Sequence, residues 1–222
     1  MTGHDFTFAG ETLTALPSRA LWWPGAHTLV VADLHLGKAG RIARRSGALL
    51  PPYEVADTLA RLSALVAELA PARVICLGDS FDDDTAAAEL DAPALAALQG
   101  LEAGRDWIWV QGNHDPMAMN AAGQGVAAFA FGPLCFRHIA QADGLPEVSG
   151  HYHPKLRLPA RMGGGRRACF LLGRSGIILP AFGTYTGGLD AHDPAVQRAI
   201  GPGAVAVVTG QTAFALPLSA CG

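Results

Sequence analysis

The sequence predicts an α/β fold in which two β-sheets pack face to face with helices on the outside. Three observations carry that expectation. The first half of the chain alternates buried strand-like runs with amphipathic helical runs. The second half is a series of short strand-like runs divided by Gly and Pro. With 222 residues, half of them hydrophobic, the chain has enough apolar material for one substantial core. One domain over residues 1–222 is therefore expected, with no repeat, low-complexity tract or linker to divide it.

Phe6, Phe8, Leu13 and Leu16 alternate with polar residues and lead to Leu21-Trp22-Trp23 before Pro24-Gly25, the pattern of short antiparallel strands. Thr28 to Ala32 is a buried strand. From Glu54 to Ala70, apolar residues recur at helical spacing (Val55, Leu59, Leu62, Leu65, Val66, Leu69) and Pro71 stops the helix. Strands are expected at Arg73 to Leu77 and Trp107 to Val110, with a helix from Pro93 to Leu101 between them, which is the βαβ signature of a partly parallel sheet. Beyond Gly125 the runs Val126 to Phe131, Leu134 to His138, Glu147 to Gly150, Ala168 to Leu172 and Gly176 to Leu179 have an antiparallel texture. Gly163-Gly164-Gly165 reads as a turn between two strands, and its neighbours Arg161, Arg166 and Arg167 either as contacts for an anionic substrate or, the preferred reading, as the solvated charges of a hairpin tip.

A formal charge of -3 advertises no nucleic-acid or anionic-membrane partner, so any phosphate recognition has to be local. No apolar run is long enough to cross a bilayer, so no membrane partner is expected. Cys76, Cys135, Cys169 and Cys221 form no C-x-x-C pair and read as reduced core thiols, which suits a reducing cytoplasm. The opening MTGHDFTFAG lacks the basic-then-apolar profile of a secretion signal, and a cytoplasmic location is expected.

Residues able to carry chemistry fall where strands end. Asp33 and His35 follow the strand that closes at Ala32, and a carboxylate and an imidazole emerging together can face one ion; alone, they also fit a loop cap and a surface imidazole. Asp79 follows the next buried strand, where an unpaired carboxylate would be costly, and it is preferred to the trailing Asp82, Asp83 and Asp84 of what otherwise reads as an acidic turn. Gly112-Asn113-His114-Asp115 follows the third strand. Its Gly permits a close turn, its Asn offers a neutral oxygen and its His has a potential orienting partner; a turn capping a helix at Pro116 explains the Gly and Asn but not the His. His151 and His153 share one face if the segment is extended, and His138 ends a strand between these motifs. These O and N ligands, without thiolate, suit Mn, Fe or Zn better than Mg or Ca.

The ordered set D-x-H, G-D-x-x-D, G-N-H-D, H and G-H-x-H resembles the calcineurin-like metallophosphoesterases over most of the chain. A closer resemblance, through ADLHLGK at 32–38, GDSF at 78–81 and LPAFGTYTGGL at 179–189, is to the bacterial ligase-associated DNA damage response endonucleases of the PdeM type. The resemblance implies a four-layer α/β/β/α sandwich of two mixed β-sheets, and a phosphodiesterase that works through two divalent metal ions per chain, Mn ahead of Fe or Zn. It further implies DNA as substrate, a role in DNA repair, and association with an ATP-dependent DNA ligase and a helicase. By position it makes Asp33, His35, Asp79 and His153 ligands of one ion, and Asp79, Asn113, His138 and His151 ligands of the other, with Asp79 as the bridge. His114 corresponds to the catalytic imidazole that is not a ligand, and Asp115 to its supporting carboxylate. His138 is followed by Ile139, where many relatives carry Gly.

Two such ions, about 3.5–4 Å apart, share a water and present it as hydroxide to the phosphorus. Lys38, Arg41, Arg44 and Arg45 read either as positioners of a nucleic-acid backbone or as an ordinary basic surface. Trp22, Trp23 and Tyr185 read either as platforms for a stacked base or, the preferred reading, as core or interface aromatics. The rival readings are a phosphodiesterase or pyrophosphatase for a nucleotide or lipid-linked small molecule, and a non-catalytic scaffold.

Overall fold

The structure is a computed structural model that describes residues 2–51, 53–114, 125–141 and 143–221. Asp115 and Pro116 lie outside the described residues.

The first sheet opens with β1 (His4–Phe8), β2 (Glu11–Ala15) and β3 (Leu21–Trp23), which pair antiparallel as the alternation predicts, and β3 pairs antiparallel with β4 (Thr28–Val31). From β4 the sheet turns parallel through β5 (Arg73–Leu77), β6 (Asp106–Val110) and the short β7 (Gly125–Val126). The crossovers carry α1 (Lys38–Ser46) and α2 (Glu54–Leu69) before β5, and α3 (Asp84–Ala88) and α4 (Ala92–Glu102) before β6.

The second sheet follows the order β15-β14-β12-β13-β10-β9-β8, with β11 paired to β12. Its strands are β8 (Ala128–Phe131), β9 (Leu134–Arg137), β10 (Glu147–Ser149), β11 (Lys155–Arg157), β12 (Arg166–Leu172), β13 (Gly176–Ile178), β14 (Val205–Val208) and β15 (Phe214–Pro217). The antiparallel texture of this half is a partial guide. β10 runs parallel to both β9 and β13, while the other pairs are antiparallel, so this sheet is mixed too. Short strands bounded by Gly and Pro signal turns but not direction, which depends on the length of the connection.

Side-chain alternation sorts the core into three layers of contact. Val30, Ala32, Ile75, Leu77 and Val110 point inward against Phe136, Val148, Phe170, Ile177 and Val207 of the facing sheet. Their neighbours Leu29, Val31, Val74, Cys76 and Trp109 point outward under Leu59, Leu62, Leu65, Leu98 and Leu101 of α2 and α4. On the far side, Cys169, Leu171, Ile178 and Val208 pack under Val196 and Ile200 of α5 (Pro194–Ile200). The result is the expected α/β/β/α layering. Truncating a fully buried member such as Leu62 to Ala is worth about 2–5 kcal/mol.

Two of the cysteines, Cys76 and Cys169, are buried core thiols and Cys135 is half-buried; none of the three is in a disulfide among the described residues. Among the described residues, no helix is long and apolar enough to cross a membrane.

Candidate metal centre

The parallel strands β4, β5 and β6 send their C-terminal ends to one edge of the first sheet, and β9 and β10, parallel to each other, send theirs to the matching edge of the second. Asp33, Asp79 and Asn113 therefore meet His138 and His151 at the seam between the sheets. Backbone bonds fix the junction: Asp33 N–H donates to Gly78 O (3.2 Å) and His35 N–H to Asp79 O (2.9 Å) within the first sheet. Across the seam, His151 N–H donates to the Asp33 carboxylate at 3.0 Å.

Asp33, His35, Asp79, His151 and His153 all have positive φ, between 45° and 70°. Left-handed backbone at a non-Gly residue costs about 1–3 kcal/mol and survives where the surroundings over-determine it, as at binding sites; Asp and His are among the residues that tolerate it best. The bent backbone also corrects one expectation. The segment after β10 is not extended, so His151 and His153 do not share a face; they serve two different clusters.

One cluster joins Asp33, His35 and His153, the other Asp79, His138 and His151, and within each the ligand atoms lie within 4.8 Å of one another. In the first, His153 Nε2 lies 3.2 Å from Asp33 Oδ1 and 3.4 Å from His35 Nε2. In the second, His138 Nε2 lies 3.4 Å from Asp79 Oδ1, 2.9 Å from Asn113 Oδ1 and 3.2 Å from His151 Nδ1. Asp79 faces both: its Oδ1 is turned to His138, and its Oδ2 lies 3.9 Å from His35 Nε2.

The tautomers follow from the outer partners. His138 Nδ1–H donates to the Leu77 carbonyl (2.8 Å), and His35 Nδ1 lies 2.7 Å from the fully buried Asp82 carboxylate. Each ring thus turns its Nε2 toward the centre, where it meets carboxylate, amide or imidazole acceptors. Converging acceptors repel unless a proton or a metal ion stands among them, and the mixture of carboxylate, amide and imidazole donors fits a divalent metal. Burial by itself lowers the His138 pKa, but Asp79 and Asp33 outweigh it and raise it to about 9. Burial raises the Asp79 carboxyl, and the His138 ring, the His114 backbone N–H and the His35 ring together drive it well below the usual carboxylate range. Burial, reinforced by the charge on His138, lowers the pKa of His151.

Seven predicted ligand residues, Asp33, His35, Asp79, Asn113, His138, His151 and His153, are thus brought together. His114 stands beside the clusters rather than in them. Its backbone N–H donates to Asp79 Oδ1 (2.9 Å), its Nε2 lies 4.0 Å from Asp79 Oδ2, and its side chain is 34% exposed.

Asp82 is the residue that sequence reasoning underrated. It anchors His35 and is held in turn by Arg41 and by Lys38 Nζ at 3.3 Å, so it orients a ring as carboxylates behind metal-binding histidines do. Its signal was the second carboxylate of G-D-x-x-D. The same contacts favour the ordinary-surface reading of the basic stretch: Lys38 and Arg41 are engaged by Asp82, and Arg44 by Asp83 and Glu89, which leaves these three little charge for a nucleic-acid backbone.

The family model described as Calcineurin-like phosphoesterase matches residues 26–169. Among solved structures, the nuclease MPE of Pseudomonas putida is 27% identical, aligned over 96% of this chain and 100% of its own with a TM-score of 0.75. Yfce, a phosphoesterase from E. coli, is 14% identical over 88% of this chain and 94% of its own, with a TM-score of 0.41. No curated protein matches.

Proposed function

The chain belongs to the calcineurin-like phosphoesterase family and is a metal-dependent phosphoesterase, and from that premise we propose that it is a dinuclear phosphodiesterase acting on DNA. The observation that carries the dinuclear reading is the position of Asp79, whose two oxygens face the two clusters separately. The full-length likeness to a nuclease supports nucleic acid as the substrate. The motif resemblance at 179–189 supports a setting in DNA repair alongside a ligase and a helicase.

Asp33, His35, Asp79 and His153 hold one ion in this reading, and Asp79, Asn113, His138 and His151 the other; imidazole mixed with carboxylate favours Mn over Mg. Bound there, two divalent ions lower the pKa of water and neutralise the charge on the phosphoryl oxygens. The remaining tasks fall to the chain. Its buried carboxylates and Nδ1-anchored imidazoles keep the donor atoms aimed inward. His114, half-exposed beside Asp79, holds a proton at Nε2 for the departing oxygen, a contribution of about 10²–10⁴-fold. Asp115, its supporting carboxylate in this reading, lies outside the described residues.

The test is hydrolysis of bis-p-nitrophenyl phosphate and of the monoester by metal-stripped protein with Mn restored, beside His114→Ala. Diester cleavage that requires metal and is lost in the variant, with both ions still bound, is the expected result, and DNA is then the next substrate. Folded protein that binds two ions and cleaves neither DNA nor any diester would point instead to a scaffold or a narrow small-molecule substrate.

A further inference from the structure

Beside the metal clusters lies a second cleft of about 540 Å³ whose charge the proposed chemistry does not use. Its cations are Arg19, Arg61, Lys155, Arg166 and Arg167, and its one acidic lining residue is Asp57. Arg61 is already engaged, through Asp57 at 3.1 Å and the Phe182 carbonyl at 2.8 Å, and Arg166 lies 4.0 Å from Asp190. Arg19, Lys155 and Arg167 have no carboxylate within ion-pair distance among the described residues. The half-buried Arg19 guanidinium makes no hydrogen bond there either, and burial and Arg61 both lower its pKa. Lys155 Nζ donates to the Thr186 carbonyl at 3.1 Å, which leaves its charge uncompensated.

Three of the lining hydroxyls are spoken for, whereas the buried Ser18 Oγ and Tyr185 Oη, which also line the cleft, have no hydrogen-bond partner among the described residues. Thr184 Oγ1 donates to Asp57, Thr186 Oγ1 to the Gly183 carbonyl, and Thr209 Oγ1 to the Ala168 carbonyl. What the cleft still offers, beyond the Ser18 and Tyr185 hydroxyls, is cationic donors crowded against one another, and the ligand that relieves such crowding is an oxyanion, taken by guanidinium forks.

Its walls are continuous with the metal centre. Gly183 N–H donates to the Asp33 carbonyl (3.1 Å), Phe182 N–H to the Ala32 carbonyl (2.8 Å), and Lys155 stands two residues after His153. We propose that this cleft binds a non-scissile phosphate of the same polynucleotide strand whose ester is cleaved at the metal clusters. The assignment rests on the phosphodiesterase reading above and adds to it a second subsite, with Arg19 and Arg167 as its principal contacts. It also takes the anionic-substrate reading of Arg166 and Arg167 over the hairpin-tip one and brings Tyr185 to the cleft wall, since all three line the cleft.

The test is binding of a fluorescein-labelled single-stranded oligothymidylate in EDTA, followed by anisotropy over a salt series, so that turnover plays no part. Arg19→Gln and Arg167→Gln are each expected to weaken binding about tenfold and to reduce the salt slope by about 1. Arg174→Gln, which removes an equal charge from an exposed turn outside the cleft, should bind as the parent does. Equal binding by all variants, or an equal loss in Arg174→Gln, overturns the proposal. Hydrolysis of bis-p-nitrophenyl phosphate, which has no second phosphate, should be unchanged in both cleft variants, and a parallel loss there also overturns it. Tight binding of inorganic phosphate that is lost in Arg19→Gln, with oligothymidylate binding unaffected, would assign the cleft to a free anion instead. Parent protein that binds the oligonucleotide through Arg19 yet hydrolyses no diester would sink the catalytic reading and leave the cleft standing.

Discussion

Asp79 and Asp82 are three residues apart and both are buried, yet they act on the candidate centre from opposite sides. Asp79 faces inward with one oxygen toward each cluster, whereas Asp82 stands behind His35 and is covered by Lys38 and Arg41. Replacing each with its amide separates the two roles. Asp79→Asn removes charge from both clusters, so a Mn titration should show both sites weakened; two fully occupied ions in that variant would rule out a bridge. Asp82→Asn should weaken only the site that holds His35, by about 10–100-fold, because an outer partner orients the ligand without touching the metal. Only one of these roles was legible in the sequence. Asp79 directly follows a buried strand, and that burial flags it, whereas Asp82 looks like part of a solvated acidic turn. Its burial depends on cations supplied by a helix some forty residues earlier, which no local pattern records.

At the level of elements, strands and helices with a strong hydrophobic period were readable, and those held by other means were not. α2 and α4 match the predicted spans to within about a residue or two, as do β5 and β6. α1 escapes a periodicity reading because its sequence, KAGRIARRS, is mostly polar. It is fixed instead by Glu54, which accepts from the Ala39 N–H at 3.0 Å, and by its ion pairs to the loop after β5. α5 is too short for its period to show, although Asp193 as cap before Pro194 marks its start. The loop from β5 into the site has a requirement of its own. Gly78 has φ +76°, and a Cβ there would sit 2.6 Å from His138 Nδ1 and 2.8 Å from the Gly112 backbone. Gly78→Ala must therefore push the His138 ring off the Leu77 carbonyl. The expected cost is about 1–3 kcal/mol in urea unfolding of the metal-free protein, with the His138 cluster losing more metal affinity than the His35 cluster. Unchanged stability would mean that the ring is free to move and that its tautomer is not set by Leu77.

For the molecule as a whole, the two sheets share an apolar interior, but at the edge where the site lies their contact is polar. Asp33, His35, Asp79 and Asn113 come from one sheet, and His138, His151 and His153 from the other. In the metal-free protein the acceptors crowded at this seam are relieved by a proton on His138, whose pKa is raised to about 9. A His raised above its unfolded value of about 6.5 contributes stability that is fully present below that value and is lost as pH rises through the folded pKa. Metal displaces that proton, so the loaded protein does not share the loss. Metal at about a hundredfold over its dissociation constant adds about 2.7 kcal/mol, or roughly 5–10 °C in a chain of this size. The melting temperature with Mn should therefore exceed that in EDTA, and the gap should widen between about pH 6.5 and 8.5 as the metal-free protein weakens. A gap that stays constant or narrows over that range would mean that the sheets are not tied by a cation competing with the His138 proton, and the His138 cluster would lose its claim to a metal.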